Sequence, residues 1–138
     1  MAVFVLDTDI LSLHQRKDHR VHAAVLAHAA DTLCVSTVTV EEQIGGWSAL
    51  ARSAKTSQEH EHASMFLAAL VVSWGGFALV PMTVPAVVRF EALARANRNV
   101  KRNDLRIAIA LELGATIVTR NRRDFGRVPG LVINDWSA

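Results

Sequence analysis

The feature that most constrains this chain is the run Val3-Phe4-Val5-Leu6-Asp7-Thr8-Asp9, in which four apolar residues lead straight into an acidic pair. A short continuous apolar run fits a strand buried on both faces of a parallel sheet. Asp7 then falls at the carboxyl end of that strand, the edge at which α/β sheets collect ligands. The acids that follow therefore raise one question, whether they arrive at the same edge.

The remaining pattern alternates helices with strands. A short helix is expected from Asp9 to about Arg16, capped by Asp9 or Thr8, and a second from Val21 to Ala30. Leu33 to Ser36 reads as the second strand, and Thr37 as the cap of a helix with Val40, Ile44, Trp47 and Ala51 on one apolar stripe. Residues 57–74 form the longest helical candidate, with Met65, Phe66, Leu67, Leu70 and Val71 on its apolar side and Gly75-Gly76 stopping it. Phe77 to Val80 is a third strand, and Pro85 opens another helix. Asn103 is the expected cap of a helix with Asp104 in its first turn, Ile107, Ala108 and Leu111 as its buried stripe and Gly114 at its end. Ala115 to Thr119 and Leu131 to Asn134 complete five strands. Such alternation implies right-handed crossovers and a parallel sheet. With 138 residues, 51% of them hydrophobic, one compact domain over 1–138 is expected.

No apolar stretch reaches the roughly 18 residues of a membrane span, so no membrane partner is expected. The first residues lack a basic n-region and a small-residue cleavage site, and the single cysteine, Cys34, can form no intramolecular disulfide. A reducing cytoplasm is the expected compartment. The net charge of +2 hides an asymmetry: residues 1–88 carry five Lys/Arg against eight Asp/Glu, and residues 89–138 carry ten against five. Twelve of the fifteen cations are arginine, which forks onto phosphate oxygens better than lysine does. A solvated basic face is one reading of this excess, and nucleic acid is the partner to test first.

Four acidic positions fall at element ends that this topology can bring together: Asp7, Glu41 or Glu42, Asp104 and Asp124. Clustered carboxylates repel one another unless a cation neutralises them, and hard oxygen ligands select Mg²⁺ or Mn²⁺ over zinc. Such a metal activates water and clamps the phosphate it attacks. Structural roles stand beside these: Asp9 and Asp104 suit helix starts, and Thr8 and Thr119 suit turns. His60 and His62, two apart, point to different sides of a helix and read as solvated. Trp47, Trp74 and Phe66 fit a core or a dimer patch better than a base-stacking platform.

Four blocks carry a resemblance. Val5 to Ser12, then Ser36 to Glu42 with Gly46, then Asn103 to Ala108, then Val118 to Asn121 with Asp124-Phe125, resemble in order and spacing the signature blocks of PIN-domain ribonucleases, most closely the VapC-type toxins. The resemblance implies a three-layer α/β/α sandwich around a central parallel sheet of about five strands. It also implies Mg²⁺- or Mn²⁺-dependent endonucleolytic cleavage of RNA, a toxin role beside a cognate antitoxin, and homodimerisation. By position, Asp7, Glu42, Asp104 and Asp124 are the implied catalytic acids, with Asp7 and Asp104 the principal metal ligands. The family's Thr-x-x-Glu spacing, begun at Thr39, lands on Glu42, so the resemblance implies that acid, although Glu41 stands beside it and helical periodicity does not separate the two. Thr8, Thr119 and Asn121 are the implied supporting groups, Asn121 standing where some relatives carry an acid.

Arg95, Arg98, Lys101, Arg102 and Arg106 bracket Asp104, and Arg120, Arg122, Arg123 and Arg127 bracket Asp124. These cations are expected to follow the RNA backbone on either side of the cut, with Arg102, Arg106, Arg120 and Arg122 as the contacts, or else to pair with acids of a partner protein. Two rival classes remain. A haloacid-dehalogenase-like phosphatase also opens with a strand ending in Asp-x-Asp, but Lys17, Lys55 and Lys101 are the only lysines and no fitting glycine-aspartate block follows. The second rival is a non-catalytic RNA-binding or partner-binding module on the same fold.

Overall fold

The computed structural model describes residues 2–97, 100–101 and 104–138. Arg98, Arg102 and Asn103, expected at a basic margin and at a helix cap, lie outside the described residues. The elements run β1 (Val3–Leu6), α1 (Thr8–Gln15), α2 (His19–Ala27), β2 (Thr32–Ser36), α3 (Thr37–Ser53), α4 (Ser57–Trp74), β3 (Ala78–Val80), α5 (Val84–Ala96), α6 (Leu105–Leu113), β4 (Thr116–Val118), α7 (Arg122–Phe125) and β5 (Val132–Asn134).

The apolar run becomes the central strand of a five-stranded parallel sheet ordered β3-β2-β1-β4-β5. Alternation along β1 divides the core between two faces. Val5 packs with Ile107, Ala110, Ile117 and Phe125, bringing α6 and α7 against one face. Phe4 and Leu6 pack with Ile10, Val21 and Trp136, bringing α1 and α2 against the other. The result is a three-layer α/β/α sandwich, as the resemblance implied.

After β1 the chain steps outward through β2 to β3, then returns past β1 to lay down β4 and β5 on its far side. The strand order therefore reverses between β1 and β4, and a crevice opens beyond their carboxyl ends. Asp7 follows β1 and Thr119 follows β4 at that crevice. The backbone ladder continues into it, with the Asp7 amide donating to the Val118 carbonyl at 2.9 Å and the Thr119 amide to the Asn134 carbonyl at 2.9 Å.

Four local expectations change. Asp7 itself, not Asp9 or Thr8, caps α1, its carboxylate accepting from the Thr8 amide. Ser36 rather than Thr37 caps α3, accepting from the Thr39 amide. In α3 the buried residues are Thr39 and Gln43, while Ile44 is exposed, so the helix turns a polar edge inward. That edge is satisfied rather than stranded. Gln43 and Gln15 exchange two hydrogen bonds, at 2.8 and 3.1 Å, and Gln43 Oε1 accepts from the Trp74 indole at 2.8 Å. The apolar side expected on α4 is likewise only partly buried: Ala63 and Leu70 turn inward, but Met65, Phe66, Val71 and Val72 are exposed. Gly114 does end α6, at φ +62°, the left-handed conformation that favours glycine.

Where α1 meets α2, the half-buried His14 ring stacks on His22 with ring centres 5.5 Å apart and meets the edge of Phe77. Its Nδ1 is buried without a hydrogen-bond partner. Burial first, and the neighbouring His22 second, push its pKa below the usual 6.5. The unfolded chain therefore takes up this proton before the folded one does. The stability held by the neutral ring is intact above pH 6.5 and is lost as pH falls below it. The melting temperature of the parent should fall between neutral pH and about pH 5 more steeply than that of His14→Phe, measured by circular dichroism; parallel curves would show that His14 does not set this slope.

Candidate active site

Asp7 is buried because its chain position leaves it inside the crevice, and four groups meet its carboxylate. Oδ1 accepts from the Thr8 amide at 2.8 Å, and Oδ2 accepts from the Thr119 hydroxyl at 2.8 Å. The Arg106 guanidinium lies alongside, with Nε 3.0 Å from Oδ1, and Asp9 adds a like charge nearby. Burial raises the Asp7 pKa above the usual carboxylate value, outweighing the lowering by Arg106, Thr119 and Thr8. The site thus holds a carboxylate in a place where its charge is costly unless a cation compensates it.

Arg106 is that cation, and it serves two acids. Its side chain is 9% exposed, and Nη1 donates to Glu42 Oε1 and to the Thr8 hydroxyl, the latter at 3.2 Å. Thr8 in turn donates to Glu42 Oε2 at 2.9 Å and lies 3.2 Å from the Thr39 hydroxyl. The structure therefore brings Asp7, Glu42, Thr8, Thr119 and Arg106 together across β1, α1, α3 and α6. Glu42 rather than Glu41 is the acid of α3 that reaches this group. Arg106 departs from the expectation of an RNA-contacting surface cation, since it is buried and committed to carboxylates. The overlooked signal lay in its neighbours: Arg106 to Ala110 are all buried, and a charge within such a run needs an internal partner.

Asp104 and Asp124 stand elsewhere. Asp104 is the N-cap of α6, at φ −97° and ψ 23°, rather than a residue of its first turn. Asp104 accepts from the Lys101 amide at 3.1 Å, and Asp124 accepts from Asn121 Nδ2 at 2.8 Å. Both line a cleft with Lys101, Arg123 and Arg127. Thr119 links the two regions, because the hydroxyl that donates to Asp7 also accepts from the Asn121 amide at 3.0 Å. Among the described residues, no three His, Cys, Asp or Glu side chains converge closely enough to hold a metal ion.

The donor chemistry nevertheless suits a hard cation. Asp7, Glu42 and Thr8 offer oxygens only, as Mg²⁺ and Mn²⁺ require. The guanidinium now between the acids fits imperfectly, since its buried Nε, though close to Asp7, makes no aligned hydrogen bond.

Comparison with known proteins fixes the family. The sequence matches the PIN domain family over residues 4–131. This chain belongs to the PIN domain family. It is 27% identical over 137 residues to ribonuclease VapC2 of Rickettsia felis, covering 97% of this chain and 98% of that protein. Its fold superposes on a chain of VapBC2 from Rickettsia felis bound to a promoter DNA fragment, with a TM-score of 0.80, 18% identity and coverage of 97% and 98%. A chain of DNA-bound VapBC from Salmonella typhimurium gives 0.77, with 25% identity and 99% of each chain covered. The family match removes the phosphatase reading.

In this PIN chain, removing the shared cation leaves Asp7 buried and unpaired. Arg106→Met should destabilise the metal-free protein by about 3 kcal/mol, the lower end for breaking a buried pair, because Glu42 is 40% exposed and partly hydrated. Arg106→Lys should recover only part of the loss, as an ammonium cannot fork onto two acids. Urea unfolding of the three proteins measures this, and a Met variant as stable as the parent would contradict the assigned pairing.

Proposed function

We propose that this chain is an endoribonuclease dependent on Mg²⁺ or Mn²⁺ and acts as the toxin of a toxin–antitoxin pair. The single observation that carries the reading is a buried aspartate, Asp7, that shares one guanidinium with Glu42 at the switch point of a parallel PIN sheet, where a cation offsets the two acids. Support comes from the relative that is a ribonuclease and from the VapBC complexes of similar fold. The non-catalytic alternative offers no account of why such a costly carboxylate is retained.

Asp7 and Glu42 are the acids proposed to hold the metal, with Asp104 contributing from the neighbouring cleft and Asp124 completing the catalytic set. When bound, the metal supplies an activated water and charge compensation at the scissile phosphate. The chain does the positioning. The Thr119 hydroxyl fixes one oxygen of Asp7 and the Thr8 amide the other, while the Thr8 hydroxyl holds Glu42. Asn121 orients Asp124 through its side-chain amide. RNA is the proposed substrate, and a cognate antitoxin and a second copy of the chain are the proposed protein partners. The exposed Met65, Phe66, Val71 and Val72 on α4 and Val84 and Val88 on α5 offer apolar area for such contacts. No helix among the described residues is long and apolar enough to cross a membrane, and the cytoplasm is the proposed compartment.

Asp7→Asn should lower RNA cleavage by about 10²-fold or more, the scale of a positioned catalytic group, while circular dichroism shows the fold retained. Glu42→Gln should lose more activity than Glu41→Gln. Dialysis against EDTA should abolish cleavage and readdition of Mg²⁺ or Mn²⁺ restore it; cleavage that is indifferent to both Asp7→Asn and EDTA would overturn the reading.

A further inference from the structure

Counting where each basic side chain is spent separates the cations at the carboxyl-terminal margin into two groups. Arg106 is buried between Asp7 and Glu42. Arg120 reaches Asp9, with its amide 3.2 Å and its Nε 3.4 Å from Oδ2. Arg120 and Arg122 also act on Asp135: burial raises that carboxyl, but the Ser137 hydroxyl and amide and these two charges hold it below the usual range. Arg106 and Arg120 are thus paired with acids of the protein itself.

Lys101, Arg123 and Arg127 are not. They line one cleft of about 270 Å³ with Asp104 and Asp124, and among the described residues their side chains make no hydrogen bond or ion pair. The acids there are already engaged, Asp104 by the Lys101 amide and Asp124 by Asn121. The cleft thus gathers three cations against two carboxylates, a net charge of +1, with none of its cations in an ion pair among the described residues, and a low-dielectric cleft focuses that excess. The volume falls below the roughly 300 Å³ at which whole-ligand pockets begin, so it suits a phosphate group with the nucleoside outside. The cleft also adjoins the acids, since Asn121 ties its α7 side to the Thr119 hydroxyl that touches Asp7, and Asp104 lies two residues from Arg106.

We infer that Lys101, Arg123 and Arg127 form a subsite for a backbone phosphate of the RNA, one that flanks the scissile phosphate. This rests on the ribonuclease reading and adds the residues that position the strand. The contacts are to phosphate, so they carry no base preference. Arg120, expected from sequence to touch RNA, is not part of the subsite.

The test measures RNA binding by fluorescence anisotropy over a series of KCl concentrations, in the Asp7→Asn background so that the strand stays intact. Adding Arg123→Ala or Arg127→Ala should each weaken binding and shallow the slope of log affinity against log salt by about 0.7, the value of one single-strand phosphate contact. The losses should be alike for RNAs of different sequence, and Arg120→Ala should leave the slope unchanged. Melting temperatures equal to the parent confirm that the variants are folded. RNA bound with the parent slope by the Arg123 and Arg127 variants overturns the subsite while leaving the ribonuclease reading in place. The same holds if those variants lose affinity only for an acidic protein partner. Absence of RNA binding in every protein, together with absence of cleavage by the parent, overturns both.

Discussion

The guanidinium of Arg106, lying between Asp7 and Glu42, is the interaction on which the site depends. It joins three parts of the chain that are far apart in sequence: the end of the central strand, the first turns of α3 and the start of α6. Each acid alone would be costly or mobile there. Asp7 is held by its own backbone position with its side chain only 8% exposed, so its charge needs a partner inside the fold. Glu42 can reach water, and is ordered by Arg106 and the Thr8 hydroxyl instead. A buried pair of this kind is weak evidence for stability, because apolar packing of the same volume would do as well. Its retention points to a use for the carboxylates.

The frame around this group comes from topology. The reversal of strand order between β1 and β4 leaves Asp7 and Thr119 side by side at the carboxyl edge of the sheet, joined by a hydrogen bond. Much of this was legible in sequence. Four apolar residues in a row predicted a strand covered on both faces, and Val5 and Leu6 are fully buried. Gly114 marked a helix end that requires a positive φ. The inward edge of α3 was not legible, because hydrophobic periodicity assigns the buried side to apolar residues. Thr39 and Gln43 face inward since partners from α1 and α4 satisfy them, and such partners are invisible to a local pattern. On α4 the reverse holds: an apolar side was visible, but not that much of it would remain exposed.

The site was legible to the same extent. Sequence placed Asp7, Glu42, Asp104 and Asp124 at element ends; of these, Asp7 and Glu42 meet at Arg106, while Asp104 and Asp124 line a separate cleft. Sequence could not say that α6 turns Arg106 rather than Asp104 towards Asp7. Asp104 is the cap that precedes α6, whereas Arg106 opens the buried run Arg106 to Ala110. The basic margin shows the same limit. Composition marks an arginine excess, whereas only three-dimensional pairing distinguishes cations already neutralised by the protein from those left for a ligand.

We propose that the Asp7 and Glu42 carboxylates are held for a divalent cation. Anomalous scattering from a crystal equilibrated with Mn²⁺ tests it without recourse to activity. The account predicts a peak bonded to a carboxylate oxygen of Asp7, with the Arg106 guanidinium withdrawn from between the two acids. A fully occupied Arg106 bridge at saturating Mn²⁺, with no peak at Asp7, would contradict it.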